Sequence, residues 1–187
     1  MKRVEFLFDY ASPWSFLANE LLDRKLPGAE ISWRPIYLRA LESFRDGFPF
    51  KHAKSAYSLR DLERCAAHEG VTIHPPATFP INGLYALRGA LLAQKLGRFP
   101  LYHGAMFRAA WVERRELSTV ESVAQIAREL GLPEIAEGIE DPAIKAELRA
   151  KTQDAVQRGV FGVPVFLVGH ELFWGHDRID YVQRALA

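Results

Sequence analysis

Strand-forming segments stand near the two ends of this chain, and the long stretch between them reads as helix. Val4 to Phe8 is a short apolar run. It is followed by Trp14, Phe16, Leu17, Leu21 and Leu22 at helical spacing, which predicts a helix from Pro13 to about Lys25. Pro27-Gly28 ends that helix, and Ile31 to Ile36 is a second strand. Near the other end, Val165 to Val168 and Glu171 to Phe173 flank a turn at Gly169-His170, and a helix covers Arg178 to Leu186. The first unit implies a parallel pair with a right-handed crossover. Between the ends, helices are expected at about Tyr57 to Gly70, Ile81 to Leu96, Leu101 to Arg114, from a Ser118 cap to Gly131, and from Asp141-Pro142 to near Gly159. Two distant strand units must therefore meet in one sheet. This predicts an α/β sheet domain of residues 1–40 and 159–187, interrupted by an all-helical insertion of residues 41–158.

Composition narrows the class. The 187 residues are 49% apolar and 25% charged, with a formal net charge of +1, as in an ordinary globular protein. No basic stripe of the nucleic-acid-binding kind is present. No run approaches the roughly 20 apolar residues of a membrane span, and Asp9 interrupts any signal-like core at the N-terminal run, so a cytoplasmic location is the default expectation. A single cysteine, Cys65, rules out an intramolecular disulfide and self-contained dithiol chemistry. It lies on the apolar side of an expected helix and reads as an inert core thiol. Six histidines are scattered without zinc-ligand spacing, so no metal site is expected; His176 is the one nearest the ligand-like motifs.

The strand-to-helix turn Phe8-Asp9-Tyr10-Ala11-Ser12-Pro13-Trp14-Ser15 carries the chemistry. Dithiol oxidoreductases place Cys-x-x-Cys at such a helix start, where the helix N-terminus stabilises a thiolate. Here the spacing is kept by Ser12 and Ser15. A serine cannot exchange disulfides, but its hydroxyl can donate a hydrogen bond to a thiolate brought by another molecule. Ser12-Pro13 also reads as an N-cap followed by proline at the first helical position.

A second segment, Gly159-Val160-Phe161-Gly162-Val163-Pro164, enters a strand. Proline there reads either as a trans residue opening a strand or as a cis turn. A cis turn would leave the Val163 backbone N–H and C=O available to a bound peptide. Phe173-Trp174-Gly175-His176-Asp177-Arg178 follows. Asp177 either caps the last helix or pairs with a ligand α-amino group, with Arg178 meeting a carboxylate.

In order along the chain, these segments, together with Lys54-x-x-Tyr57 and Phe79-Pro80-x-Asn82, resemble the 2-hydroxychromene-2-carboxylate isomerases and kappa-class glutathione transferases. These form part of the DsbA-like branch of the thioredoxin fold. The resemblance implies a thioredoxin-like fold with a large helical insertion, a homodimer, and glutathione as the bound thiol. It implies Ser12 as the catalytic residue, hydrogen-bonded to the glutathione sulfur. In the isomerase reading the thiolate adds to a conjugated double bond of a small aromatic electrophile, rotation follows, and the thiolate leaves. In the transferase or peroxidase reading it attacks another electrophile. A third reading is a non-catalytic protein holding thiols or peptides at Pro164.

The resemblance also implies Lys54, Asn82, Val163, Pro164, Asp177 and Arg178 as glutathione contacts, Lys54 alternatively meeting a substrate carboxylate, and Tyr10, Trp14, Tyr57 and Trp174 as pocket residues, with Arg39 on a loop that would line the electrophile site. Lys54 reads equally as a solvated lysine, Asn82 as a helix cap, and Tyr57 and Trp174 as core. One departure stands out. The isomerases tend to have a Leu-Leu-Gly-like loop after the second strand, whereas this chain has Pro35-Ile36-Tyr37-Leu38-Arg39-Ala40-Leu41. Arg39 either recognises a substrate carboxylate or points to solvent.

Overall fold

A computed structural model describes residues 3–44, 52–76 and 79–187. The strands are β1 (Arg3–Phe8), β2 (Glu30–Pro35), β3 (Val165–Val168) and β4 (Glu171–Trp174). They form one sheet in the order β2-β1-β3-β4. β1 runs parallel to β2, with Val4 opposite Ile31, and antiparallel to β3, with Leu7 opposite Val165. β3 and β4 form the antiparallel edge. The two ends of the chain thus meet in a thioredoxin-like sheet. Helix α1 (Pro13–Lys25) makes the crossover, and α8 (Ile179–Ala185) packs beside it.

Both faces of β1 are buried, which explains its nearly continuous apolar sequence. Val4, Phe6 and Phe8 face the main core, whereas Leu7 faces a smaller cluster with Ile36, Ala155, Val163, Val165 and Leu167. Phe6 stacks on Phe166 at 5.1 Å and meets the edge of Trp33 at 5.5 Å. Each such fully buried side chain contributes about 1.5–3 kcal/mol.

The intervening helices are α2 (His52–Glu69), α3 (Leu84–Lys95), α4 (Phe99–Trp111), α5 (Val120–Glu129), α6 (Pro133–Gly138) and α7 (Pro142–Gln157). They share the sheet's main core: Phe107, Trp111, Val123 and Leu148 belong to the same apolar cluster as Phe6 and Phe8.

Several boundaries differ from the sequence expectation. α2 begins at His52, not near Tyr57. α3 begins at Leu84, because residues 80–83 serve as tertiary anchors: the Asn82 N–H donates to Ser118 Oγ at 3.0 Å. With Ser118 so engaged, Thr119 caps α5, its hydroxyl accepting the Ser122 N–H. The short helix α6 was not anticipated. Asp177 lies in a 3-10 turn (His176–Arg178) and makes no capping bond to α8.

Candidate active site

Ser12 is the N-cap of α1, with φ −97° and ψ 115°, and Pro13 takes the first helical position. Its Oγ accepts the Ser15 N–H at 3.1 Å and donates to the Val163 carbonyl at 3.5 Å. The accepted bond is a normal cap. The donated bond is at the limit of useful length, so the hydroxyl proton is weakly held. The Ser15 hydroxyl is buried without a partner among the described residues.

The Val163-Pro164 peptide bond is cis, and so is Phe79-Pro80. The Val163 carbonyl faces Ser12 and is not unpaired, whereas the Val163 N–H meets no acceptor among the described residues. Pro164 itself opens β3, and its carbonyl receives the Gly175 N–H at 3.0 Å.

Between these two turns lies a cleft of about 420 Å³. Ser12, Pro13, Trp14, Phe161, Val163 and Trp174 line it together with Leu38, Phe44, Lys54, Leu59, Leu62 and Phe79. The walls are mostly apolar, and Lys54 is the cation among them. Trp174 stands half exposed and meets Phe161 edge to face at 5.0 Å. Trp14 stacks on the His176 ring at 4.8 Å. Burial lowers the His176 pKa, so the ring behind Trp14 is neutral at pH 7.

Of the residues singled out in the sequence, Ser12, Trp14, Lys54, Val163 and Trp174 therefore meet at one cleft. Arg39 borders an adjoining recess of about 260 Å³, and its guanidinium donates to the Pro80 and Ile81 carbonyls at 3.1 Å. The others lie elsewhere. Tyr10 is fully buried and donates to His103 Nδ1, so it is a core residue and not a pocket wall. Tyr57 is on the solvent side of α2 and donates to Asp61. Asn82 holds the start of α3, accepting from the Leu84 N–H and the Tyr37 hydroxyl. Asp177 and Arg178 pair with each other at 3.1 Å outside the cleft lining.

Asp9 is the residue whose part sequence reasoning missed, although it sits inside the motif. Its carboxylate is fully buried, accepting the Ala11 N–H at 2.9 Å and the Leu38 N–H at 2.8 Å. It thereby ties the Ser12 turn to the loop after β2. Desolvation pushes its pKa up to about 6, against the lowering effect of those two N–H groups and Arg39. Gly83 makes room for it: a Cβ there would stand 2.0 Å from Asp9 Oδ1. Leu38, Leu59, Leu62 and Phe161 also escaped notice, because an apolar lining residue carries the same sequence signal as a core residue.

Residues 3–187 match the family model of the DSBA-like thioredoxin domain. A 2-hydroxychromene-2-carboxylate isomerase of Sphingobium xenophagum is 30% identical, over 99% of this chain and 98% of that protein. The chain belongs to this DSBA-like family. Human glutathione S-transferase kappa 1 is 26% identical, over 99% of this chain and 91% of its own length. A solved 2-hydroxychromene-2-carboxylate isomerase structure superposes with a TM-score of 0.84 at 26% identity, covering 98% of this chain and 94% of that one. The DSBA-like match runs from β1 to α8, so the Ser12 and Pro164 turns both lie within it. Unlike a dithiol member of the family, this chain has its one cysteine on α2. Cys65 is half buried, and burial first, then Asp61, Asp177 and Glu69, pushes its thiol pKa up, which keeps it protonated at neutral pH.

Proposed function

We propose that this protein is a glutathione-dependent cis–trans isomerase of 2-hydroxychromene-2-carboxylate-type aromatic compounds, with Ser12 as the catalytic residue. The carrying observation is the Ser12 hydroxyl: capped from behind by the Ser15 N–H, it directs its proton toward Val163 over an apolar cleft. The names of the relatives support the substrate class.

The donors present fit glutathione. The Val163 N–H meets no acceptor among the described residues, which suits a peptide carbonyl, and Lys54 in the cleft lining suits a carboxylate. When bound, glutathione supplies a thiolate that adds reversibly to a conjugated double bond, so that rotation about the weakened bond is possible and no net oxidation occurs. Ser12 exchanges its long bond to Val163 for a bond to sulfur, and the N-terminus of α1 adds favourable partial charge. Leu38, Leu59, Phe79, Phe161 and Trp174 take up an aromatic body and exclude water, which strengthens the Ser12 hydrogen bond. A thiol of this kind is plentiful in a reducing compartment, and we place the protein in the cytoplasm on that ground.

The test is turnover of 2-hydroxychromene-2-carboxylate with and without glutathione, followed by absorbance, for the protein and its Ser12→Ala variant. Turnover that requires glutathione and falls about a hundredfold in the variant supports the reading. Glutathione-independent turnover, or an unaffected variant, overturns it. Conjugation of 1-chloro-2,4-dinitrobenzene without isomerisation assigns the site to the transferase reading.

A further inference from the structure

A second and larger cleft, of about 870 Å³, lies between α3 and α7, with Tyr37 and Ala40 also in its lining. It shares no lining residue with the Ser12 cleft: Tyr37 and Ala40 line one, Leu38 the other. Its volume falls in the range of small-molecule sites.

Its chemistry is one-sided. Arg88 from α3 and Lys145 and Arg149 from α7 line it, and among the described residues no Asp or Glu does. Lys145 stands 3.7 Å from the carboxylate of Glu140, which is outside the lining, and the Arg88 guanidinium lies 5.4 Å from the Tyr85 ring centroid. The Arg88 Nε is buried and has no hydrogen-bond partner among the described residues. Leu84, Leu148 and Val156 supply apolar surface between the cations. Thr152 keeps the groove's shape: its Oγ1 donates to the Leu148 carbonyl at 2.8 Å and accepts the Tyr37 N–H at 3.0 Å. The sequence spacing explains the arrangement, since Lys145, Leu148, Arg149, Thr152 and Val156 share one face of α7.

We propose that this groove is a second ligand site, distinct from the Ser12 cleft, for an organic anion with an apolar body, its carboxylate or phosphate held by Arg88 and Arg149. Guanidinium forks suit both anions, and the apolar strip takes the ring or chain.

The experiment is an amide NMR titration of the whole protein with 1-naphthyl phosphate and, separately, 1-naphthoate, repeated on Arg88→Gln and Arg149→Gln. Saturable shifts at Arg88, Arg149 and Thr152, with binding weakened at least tenfold in each variant, support the site. Preference between the two probes identifies phosphate or carboxylate as the head group. Arg149 is exposed on α7, so its variant keeps the test valid if Arg88→Gln fails to fold. Shifts confined to the Ser12 cleft, non-saturating shifts over the surface, or undiminished binding in the Arg149 variant overturn the proposal.

Discussion

The Ser12 hydroxyl and the Val163 carbonyl, 151 residues apart in the chain, meet at 3.5 Å, and both residues line the apolar cleft. The contact joins the start of α1 to the cis turn before β3. Ser12→Ala removes this donor and the N-cap together. The cap loss costs about 0.5–2 kcal/mol, read as a lower urea midpoint with an unchanged slope. Ser12→Thr keeps a capping oxygen and is expected to recover stability. A Ser12→Ala protein as stable as the parent would show that the cap contributes little.

Asp9 sets a pH dependence. Its folded pKa is raised to about 6 from 3.8. The folded state therefore binds a proton more tightly than the unfolded state, and stability falls as pH rises from about 4 to about 6. The shift corresponds to about 3 kcal/mol. Asp9→Asn removes this slope. It also brings a donor against the Ala11 or Leu38 N–H, so the variant is expected to lose the ordered turn and bind glutathione more weakly. Denaturation midpoints from pH 4 to 7 on both proteins check this. Parallel curves would mean that Asp9 does not titrate in that window.

Gly83 is required for its size. Its φ of −76° is accessible to any residue, but a Cβ would clash with the Asp9 carboxylate at 2.0 Å and press on the Ala11 N–H at 3.2 Å. Gly83→Ala is expected to cost about 1–3 kcal/mol, as overpacking does. Calorimetric titration with glutathione should show the same variant weakened, because the displaced segment leads directly to Ser12.

His103 is buried and neutral, its pKa lowered by desolvation to about 3. Its Nδ1 accepts from the Tyr10 hydroxyl at 2.9 Å, which makes Nε2 the donor to Asn19 at 2.9 Å. A depressed pKa contributes stability above the unfolded value of 6.5 that is lost as pH falls toward 3. His103→Leu leaves the Tyr10 hydroxyl unpaired, a loss of about 1–3 kcal/mol. Adding Tyr10→Phe should return part of it. A double variant no more stable than His103→Leu would show the two residues to be uncoupled.

The strand and helix order was legible because apolar periodicity is a local property. β1, α1 and β3 lie where Phe6, Leu17 and Val165 predict them. Boundaries failed where a side chain had a distant partner. Ser118 and Asn82 both have capping chemistry, yet Ser118 serves the Asn82 N–H, which moves the α5 cap to Thr119. Tyr10 and Trp14 flank the same motif, yet Tyr10 turns into the core toward His103 and Trp14 onto the cleft.

By itself the sequence determined the serine at the helix start, the single cysteine and the strand units at either end, all of which depend on residue identity and short-range spacing. Only the tertiary structure decided which aromatic rings wall the cleft, that Asp9 is buried beneath the Ser12 turn, and that Arg88 lines a separate groove with Lys145 and Arg149. Burial and pairing arise from segments that meet after folding, and no local pattern encodes that meeting.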